Sequence, residues 1–356
     1  MLRNRVSKLA AASAAGAMLM AVAACGGNDD STSTATSEAS SSAAPAGAAL
    51  KVGLAYDIGG RGDGSFNDAA ARGLDKAVAE LNADKKELEA AAGETDAQKE
   101  ERLRLLASNG YNPVIAVGFA YSESLKKVAP EFPDVKFAIV DDDAATGANI
   151  SNLVFAEEQG SFLVGVAAAL KSEKGSVGFV GGVDVPLIHK FQAGFEAGAK
   201  AVKPDIQLQS KYLTQPPDFG GFNDPAKGKT AAQGMFDSGA DVVYQAAGGS
   251  GSGVFEAAKA AGAMAVGVDS DQAALPAYAD VKDVIITSMI KKIDVAVFDF
   301  LKHAADGTVQ SGKTVYDLKA DGVGYSTTGG KIDDITSKID EYKQKIVDGE
   351  ITVPSS

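Results

Sequence analysis

Short, nearly continuous apolar runs alternate with helix-length segments along most of this chain. The runs at 50–56, 113–117, 135–140, 176–180, 241–245, 264–268 and 284–288 are rich in Val, Ile and Ala. Runs apolar on both faces suit parallel strands covered by helices on each side. Between them, 69–81, 100–108, 121–128, 157–170, 191–202, 227–238, 253–261 and 291–305 read as helices, and 332–347 as a closing amphipathic helix. Residues 152–155 and 206–213 read as further extended segments. The stretch 82–99 is polar, with a strand expected near Leu88. Such alternation predicts a doubly wound α/β fold, with enough units for two sheets.

In open parallel sheets, ligands bind beyond the C-terminal ends of the strands. The loops at those ends fall at 57–67, 118–120, 141–143, 181–184, 247–253 and 269–272, and they are rich in Gly, Asp, Asn and Phe. Carboxylates accept hydrogen bonds from hydroxyls, and aromatic rings stack on flat faces. The loops therefore suit a polyhydroxylated ligand with a flat face.

Composition narrows the alternatives. The 356 residues carry a formal net charge of −13, which disfavours nucleic acid as a partner. A single cysteine, Cys25, excludes an internal disulfide and any multi-cysteine metal site. The only histidines, His189 and His303, lie far apart. The glycine run 248–253 lacks the spacing and the Lys-Ser/Thr pair of a phosphate-binding loop. No catalytic residue, cofactor or metal is expected. The triplet Asp141-Asp142-Asp143 reads as a solvated strand end rather than a cation loop.

The N-terminus carries an address. Arg3, Arg5 and Lys8 precede an apolar, Ala-rich run that ends in Val22-Ala-Ala-Cys25. A charged start, a short apolar core and small residues before cysteine make a secretory signal with a lipobox. Residues 1–24 are expected to be removed, leaving Cys25 diacylated. Residues 25–49, nearly all small or polar, form a flexible tether. The protein is then expected at the cell membrane, lipid-anchored on the extracytoplasmic side.

The body resembles the basic membrane protein family of solute-binding lipoproteins, which includes purine nucleoside receptors of ABC importers. The resemblance rests on an ordered set of pieces: Asp63-Gly-Ser-Phe-Asn67, Gly118-Phe-Ala120, Glu158-Gln-Gly-Ser-Phe-Leu163, Gly178-Phe-Val-Gly-Gly182, Lys190-Phe-Gln-Ala-Gly-Phe195, Asn223-Asp-Pro-Ala-Lys-Gly-Lys229, Gly239-Ala-Asp-Val-Val243, Ala246-Ala-Gly-Gly-Ser-Gly251, Gly267-Val-Asp-Ser-Asp-Gln272 and Thr287-Ser-Met-Ile-Lys291. It implies a type I periplasmic-binding fold, two α/β lobes joined by three crossovers around a ligand cleft. The N-terminal lobe is expected to comprise 50–155 plus about 285–308, and the C-terminal lobe 156–284 plus about 309–356. It also implies a nucleoside ligand and a permease and ATPase complex as partner; a monomer suits a tethered receptor. By position, Phe66 and Phe222 would sandwich the base, and Asn67 and Asp141 would read its polar edge. Gly248, Asp269 and Lys291 would hold the ribose. Asp57, Asp63, Phe119 and Asp271 would line or support the pocket. Two features depart from the family pattern: the first loop is expanded with glycines around Arg61, and the segment 214–221 before Phe222 is long. A sugar receptor on the same fold, a surface sensor and a nucleosidase are the competing readings.

Overall fold

The computed structural model describes residues 49–356, so the signal segment, Cys25 and nearly all of the tether lie outside the described residues. Two six-stranded sheets carry the fold. The first contains β1 (Lys51–Ala55), β2 (Asp84–Leu88), β3 (Val114–Ala116), β4 (Phe137–Val140), β5 (Ile150–Phe155) and β11 (Gly312–Tyr316). Its order is β11-β5-β4-β3-β1-β2, all parallel. The second contains β6 (Ser176–Val183), β7 (Gln207–Thr214), β8 (Val242–Ala246), β9 (Met264–Asp269), β10 (Ile285–Lys291) and β12 (Val323–Tyr325). Its order is β12-β10-β9-β8-β6-β7, with only β12 antiparallel. Helices α1 (Phe66–Leu81), α2 (Asp96–Ser108), α3 (Ser122–Val128) and α8 (Ile293–Ala305) go with the first sheet. Helices α4 (Glu157–Lys171), α5 (Pro186–Val202), α6 (Pro225–Asp237), α7 (Gly251–Ala261) and α9 (Thr336–Val347) go with the second.

The chain passes between the sheets three times: after β5, after β10 and after β11. This is the type I arrangement. Two boundaries differ from the sequence reading. Residues 285–291 form β10 of the second sheet, because their apolar run pairs in parallel with β9. Residues 312–316 form the exposed edge strand β11 of the first sheet. An edge strand has no second neighbour and needs no apolar run, so its sequence (Gly-Lys-Thr-Val-Tyr) gives little signal. The same holds for β2, whose Asp-Lys-Lys-Glu-Leu is half-exposed at the other edge. Lys291, read as a helix start, is instead the last residue of β10.

Local signals set the helix starts. Thr95 and Gln98 form a capping box that opens α2 inside the polar stretch. Pro186 and Pro225 stand in the first turns of α5 and α6, where the missing N–H costs nothing. Arg61 has a structural role. Its guanidinium bonds Asp75 at 2.7 Å and Glu87 at 2.9 Å, tying the glycine-expanded loop to β2.

Candidate functional site

A cleft of about 550 Å³, counting its open mouth, lies at the C-terminal ends of both sheets. Asp57, Asp63, Phe66, Asn67, Phe119 and Asp141 of the first lobe line it, facing Phe222, Gly248, Asp269 and Lys291 of the second. Ten of the eleven positions singled out in the sequence therefore meet in one cavity. Asp271 does not line it; its carboxylate accepts a hydrogen bond from Thr328 Oγ1.

The first loop is built around α1. Asp63 Oδ1 accepts from the N–H groups of Ser65 and Asp68, and Oδ2 from the N–H and Nδ2 of Asn67. Four bonds saturate this carboxylate and satisfy donors at the start of the helix. The helix begins at Phe66, three residues earlier than its apolar pattern predicts, so Phe66 and Asn67 belong to its first turn. The Asn67 amide is also committed. Its Oδ1 accepts from Asp57 N–H at 3.1 Å, and Nδ2 donates to Ile58 O and Asp63 Oδ2. Asn67 thus positions Asp57 rather than offering free donors to the cavity. Asp57 Oδ1 accepts from Ile58 N–H at 2.8 Å, while no donor among the described residues reaches Oδ2. Burial, opposed by that bond and by Lys99, pushes the Asp57 carboxyl up to about 6.

Asp141 directly follows β4 and Asp269 ends β9, one in each lobe, and both hold positive φ (64° and 62°). Asp is among the few residues that tolerate this left-handed conformation. It turns both chains sharply at the sheet edge. Asp269 Oδ2 accepts from Ser65 Oγ at 2.6 Å, a bond that spans the cleft. Burial raises its carboxyl pKa, against the pull of Lys291 and Ser65.

Lys291 is 2% exposed. Its ammonium donates to Asp141 Oδ2 and lies 3.1 Å from Glu157 Oε1. The rings of Phe66, Phe155 and Phe191 surround it at 5.4, 5.0 and 5.4 Å. Burial works to neutralise this lysine, but Asp141, Glu157 and Asp269 together hold it charged. Sequence reasoning missed Glu157, the first residue of α4, which is 1% exposed. An acidic residue opening an otherwise apolar, Gly- and Ala-rich helix was the available signal. It also missed the apolar wall from α5: Leu187, Ile188 and Phe191.

On the second lobe, two glycines make room for Phe222. A Cβ on Gly182 would stand 2.4 Å from its ring, and one on Gly248 would stand 2.9 Å from its carbonyl oxygen. Across the mouth, Gln272 Nε2 donates to Gly64 O at 2.9 Å and Arg72 to Ser270 Oγ at 2.8 Å. Among the described residues, no cluster of His, Cys, Asp and Glu is placed to hold a metal ion. No described helix is long and apolar enough to cross a membrane.

The site can thus enclose a small, donor-rich solute between aromatic rings and buried carboxylates. Comparison with known proteins finds solute-binding relatives. A family model described as Bmp, ABC transporter substrate-binding protein PnrA-like, matches residues 49–356. The CD4+ T-cell-stimulating antigen of Listeria monocytogenes is 37% identical, covering 85% of this chain and 87% of that protein. The ABC transporter nucleoside-binding protein BmpA of Lactococcus lactis is 36% identical, covering 86% of this chain and 89% of that one. Among solved structures, an ABC transporter solute-binding protein from Aeropyrum pernix superposes with a TM-score of 0.75 at 29% identity, covering 86% of this chain and 94% of that one.

Proposed function

This chain belongs to the Bmp family of PnrA-like substrate-binding proteins of ABC transporters, and on that premise we propose that it captures a purine nucleoside and delivers it to an importer. Proteins of this family bind solutes for transport and are not enzymes. The observation that carries the nucleoside reading is the polarity of the cleft. Asp57, Asp141 and Asp269 line it as acceptors, while the only lining cation among the described residues, Lys291, is already held by Asp141 and Glu157. Such a wall favours a ligand rich in O–H and N–H groups and disfavours a phosphate. Phe66 and Phe222, one from each lobe, both line the cleft, and in this reading they take the two faces of a base. Asp57 and Asp141 then accept from its edge, with Asn67 holding Asp57 in place. Asp269 accepts from ribose hydroxyls, supported by Gly248 and Lys291. The name of the Lactococcus relative points to the same ligand class. Residues 1–24 act as an export signal, and acylated Cys25 tethers the receptor to the outer face of the membrane, facing the permease and ATPase complex as a monomer. A Pyrococcus relative is likewise described as a lipoprotein.

The test is inosine affinity as a function of pH. A base N–H binds the ionised form of Asp57, whose carboxyl sits at about 6. Affinity should level off above about pH 8 and fall as pH drops through 7 and 6, where the Asp141 and Asp57 carboxyls sit, by up to about tenfold per unit for each carboxylate that must be ionised. Asp57→Asn should lower affinity at pH 7.5 by about 10- to 100-fold and remove one proton from the acid-side slope. The stability effect of the same group has the opposite sign. Its folded pKa lies above the unfolded value of about 3.9, so its protonation favours the folded state as pH falls through 6. Acid unfolding driven by Asp57 therefore cannot mimic the loss of binding. An unchanged slope in Asp57→Asn would remove Asp57 from the site.

A further inference from the structure

The long segment before Phe222 forms a braced arch. Thr214 Oγ1 donates to Asp218 O at 2.6 Å and accepts from Gly221 N–H at 3.2 Å. Asp218 Oδ1 accepts from Gly220 N–H at 2.8 Å. Ser250 Oγ donates to Gly221 O at 2.7 Å and accepts from Asp224 N–H at 2.6 Å, anchoring the arch to the turn that opens α7. The residue this arch presents is Phe219, whose ring meets Phe119 of the other lobe edge-on, with centroids 6.0 Å apart at 61°. Phe119 follows Gly118 at the end of β3, and it lines the ligand cleft. Beside the arch, a second depression of about 770 Å³, counting its open mouth, is lined by residues 91–94, Lys99, Ala120 and 217–220. It shares Asp57 and Ile58 with the cleft.

We propose that Phe219 and Phe119 form an aromatic clasp across the lobes, which closes this mouth of the cleft and sets the rate at which ligand leaves. The rings come from opposite lobes, so their contact can exist only when the lobes are together. Phe219 lies outside the cleft lining and acts through Phe119, as a positioning residue. The clasp requires that the cleft hold the solute; it does not require the solute to be a nucleoside.

Two readouts on the intact protein test it. The first is hydrogen exchange of the ligand-free protein, read at the Gly118–Ser122 turn. Phe219→Ala should speed exchange there, in the lobe opposite the substitution, and Phe219→Tyr should restore it. The second is dissociation of tritiated inosine in a chase experiment. Phe219→Ala should raise the off-rate by about 3- to 10-fold with a smaller change in on-rate. Adding Phe119→Ala should change little beyond Phe119→Ala alone. Unaltered exchange at the Phe119 turn, or strictly additive off-rate effects, would overturn the clasp. A wild-type protein that ignores inosine would contradict the nucleoside reading and leave the exchange measurement to decide the clasp.

Discussion

Replacing Lys291 by Met is expected to abolish ligand capture and to remove about 3–5 kcal/mol of folding stability at neutral pH. The substitution keeps most of the side-chain volume among Phe66, Phe155 and Phe191 but withdraws the charge. Asp141 and Asp269 then lose their buried counter-charge, and Glu157 keeps only Lys190, 3.5 Å from its Oε2. Asp141 and Asp269 already have raised carboxyl pKa values from burial, and Lys291 is the chief influence pulling them down. Without it, they rise further. The linkage is explicit: a carboxyl with its folded pKa above its unfolded one stabilises the fold once protonated, and this contribution disappears as pH rises through the folded pKa. The Lys291→Met protein should therefore recover stability between pH 7 and pH 5 more steeply than the wild type. Urea midpoints at the two pH values measure this. A loss below about 1 kcal/mol at pH 7, or no recovery in acid, would mean that the lysine does not hold this cluster together.

Gly194→Leu should cost at least about 3 kcal/mol and weaken ligand binding from outside the cleft. Helices α4 and α5 cross with their backbones in contact. A Cβ on Gly165 would stand 2.1 Å from Phe195 O, one on Gly194 2.1 Å from Glu158 O, and one on Gly198 2.0 Å from Phe162 O. None of these neighbours is a flexible side-chain end, so a side chain can fit only if the helices separate. Helix α4 starts at Glu157, beside Lys291, and α5 carries Leu187, Ile188 and Phe191 into the cleft. Separation should therefore loosen one wall of the cleft together with the lobe core. Thermal unfolding and inosine titration check the two effects. Retained stability would show that the helices can part at little cost.

The interior of this fold was legible because burial on both faces writes itself into sequence. Val114-Ile-Ala116 and Val242-Val-Tyr-Gln-Ala246 are fully buried strands and read as such. The edges were harder to read: β7 and the strand at Leu88 carry a signal, whereas β11 and β12 do not. Strands β2, β11 and β12 lie at sheet margins, where one side meets solvent and little apolar pattern is needed. That is why 312–316 goes unread as a strand of the first sheet; 285–291 reads as a strand, but nothing in its apolar run says which sheet it joins. The cleft followed the rule that loops at strand C-termini gather in one place, and Asp141 and Asp269 occupy equivalent strand ends in the two lobes. Glu157 and Phe191 escaped because they sit on helices, where an acidic first residue or an apolar face has ordinary structural explanations. Committed donors were also invisible: only the structure reveals that Asn67 has both amide hydrogens engaged.

The measurement that tests the central claim most directly is calorimetric titration of the protein after unfolding and refolding, which strips any carried-over solute. The panel is adenosine, guanosine, inosine, inosine 5′-monophosphate, uridine, cytidine, ribose and galactose. A purine nucleoside receptor should show saturable one-to-one binding of inosine, guanosine or adenosine, much weaker binding of the monophosphate, and no heat from ribose or galactose. Binding of ribose or galactose with all nucleosides silent would contradict the nucleoside assignment and make the cleft a sugar site on the same fold.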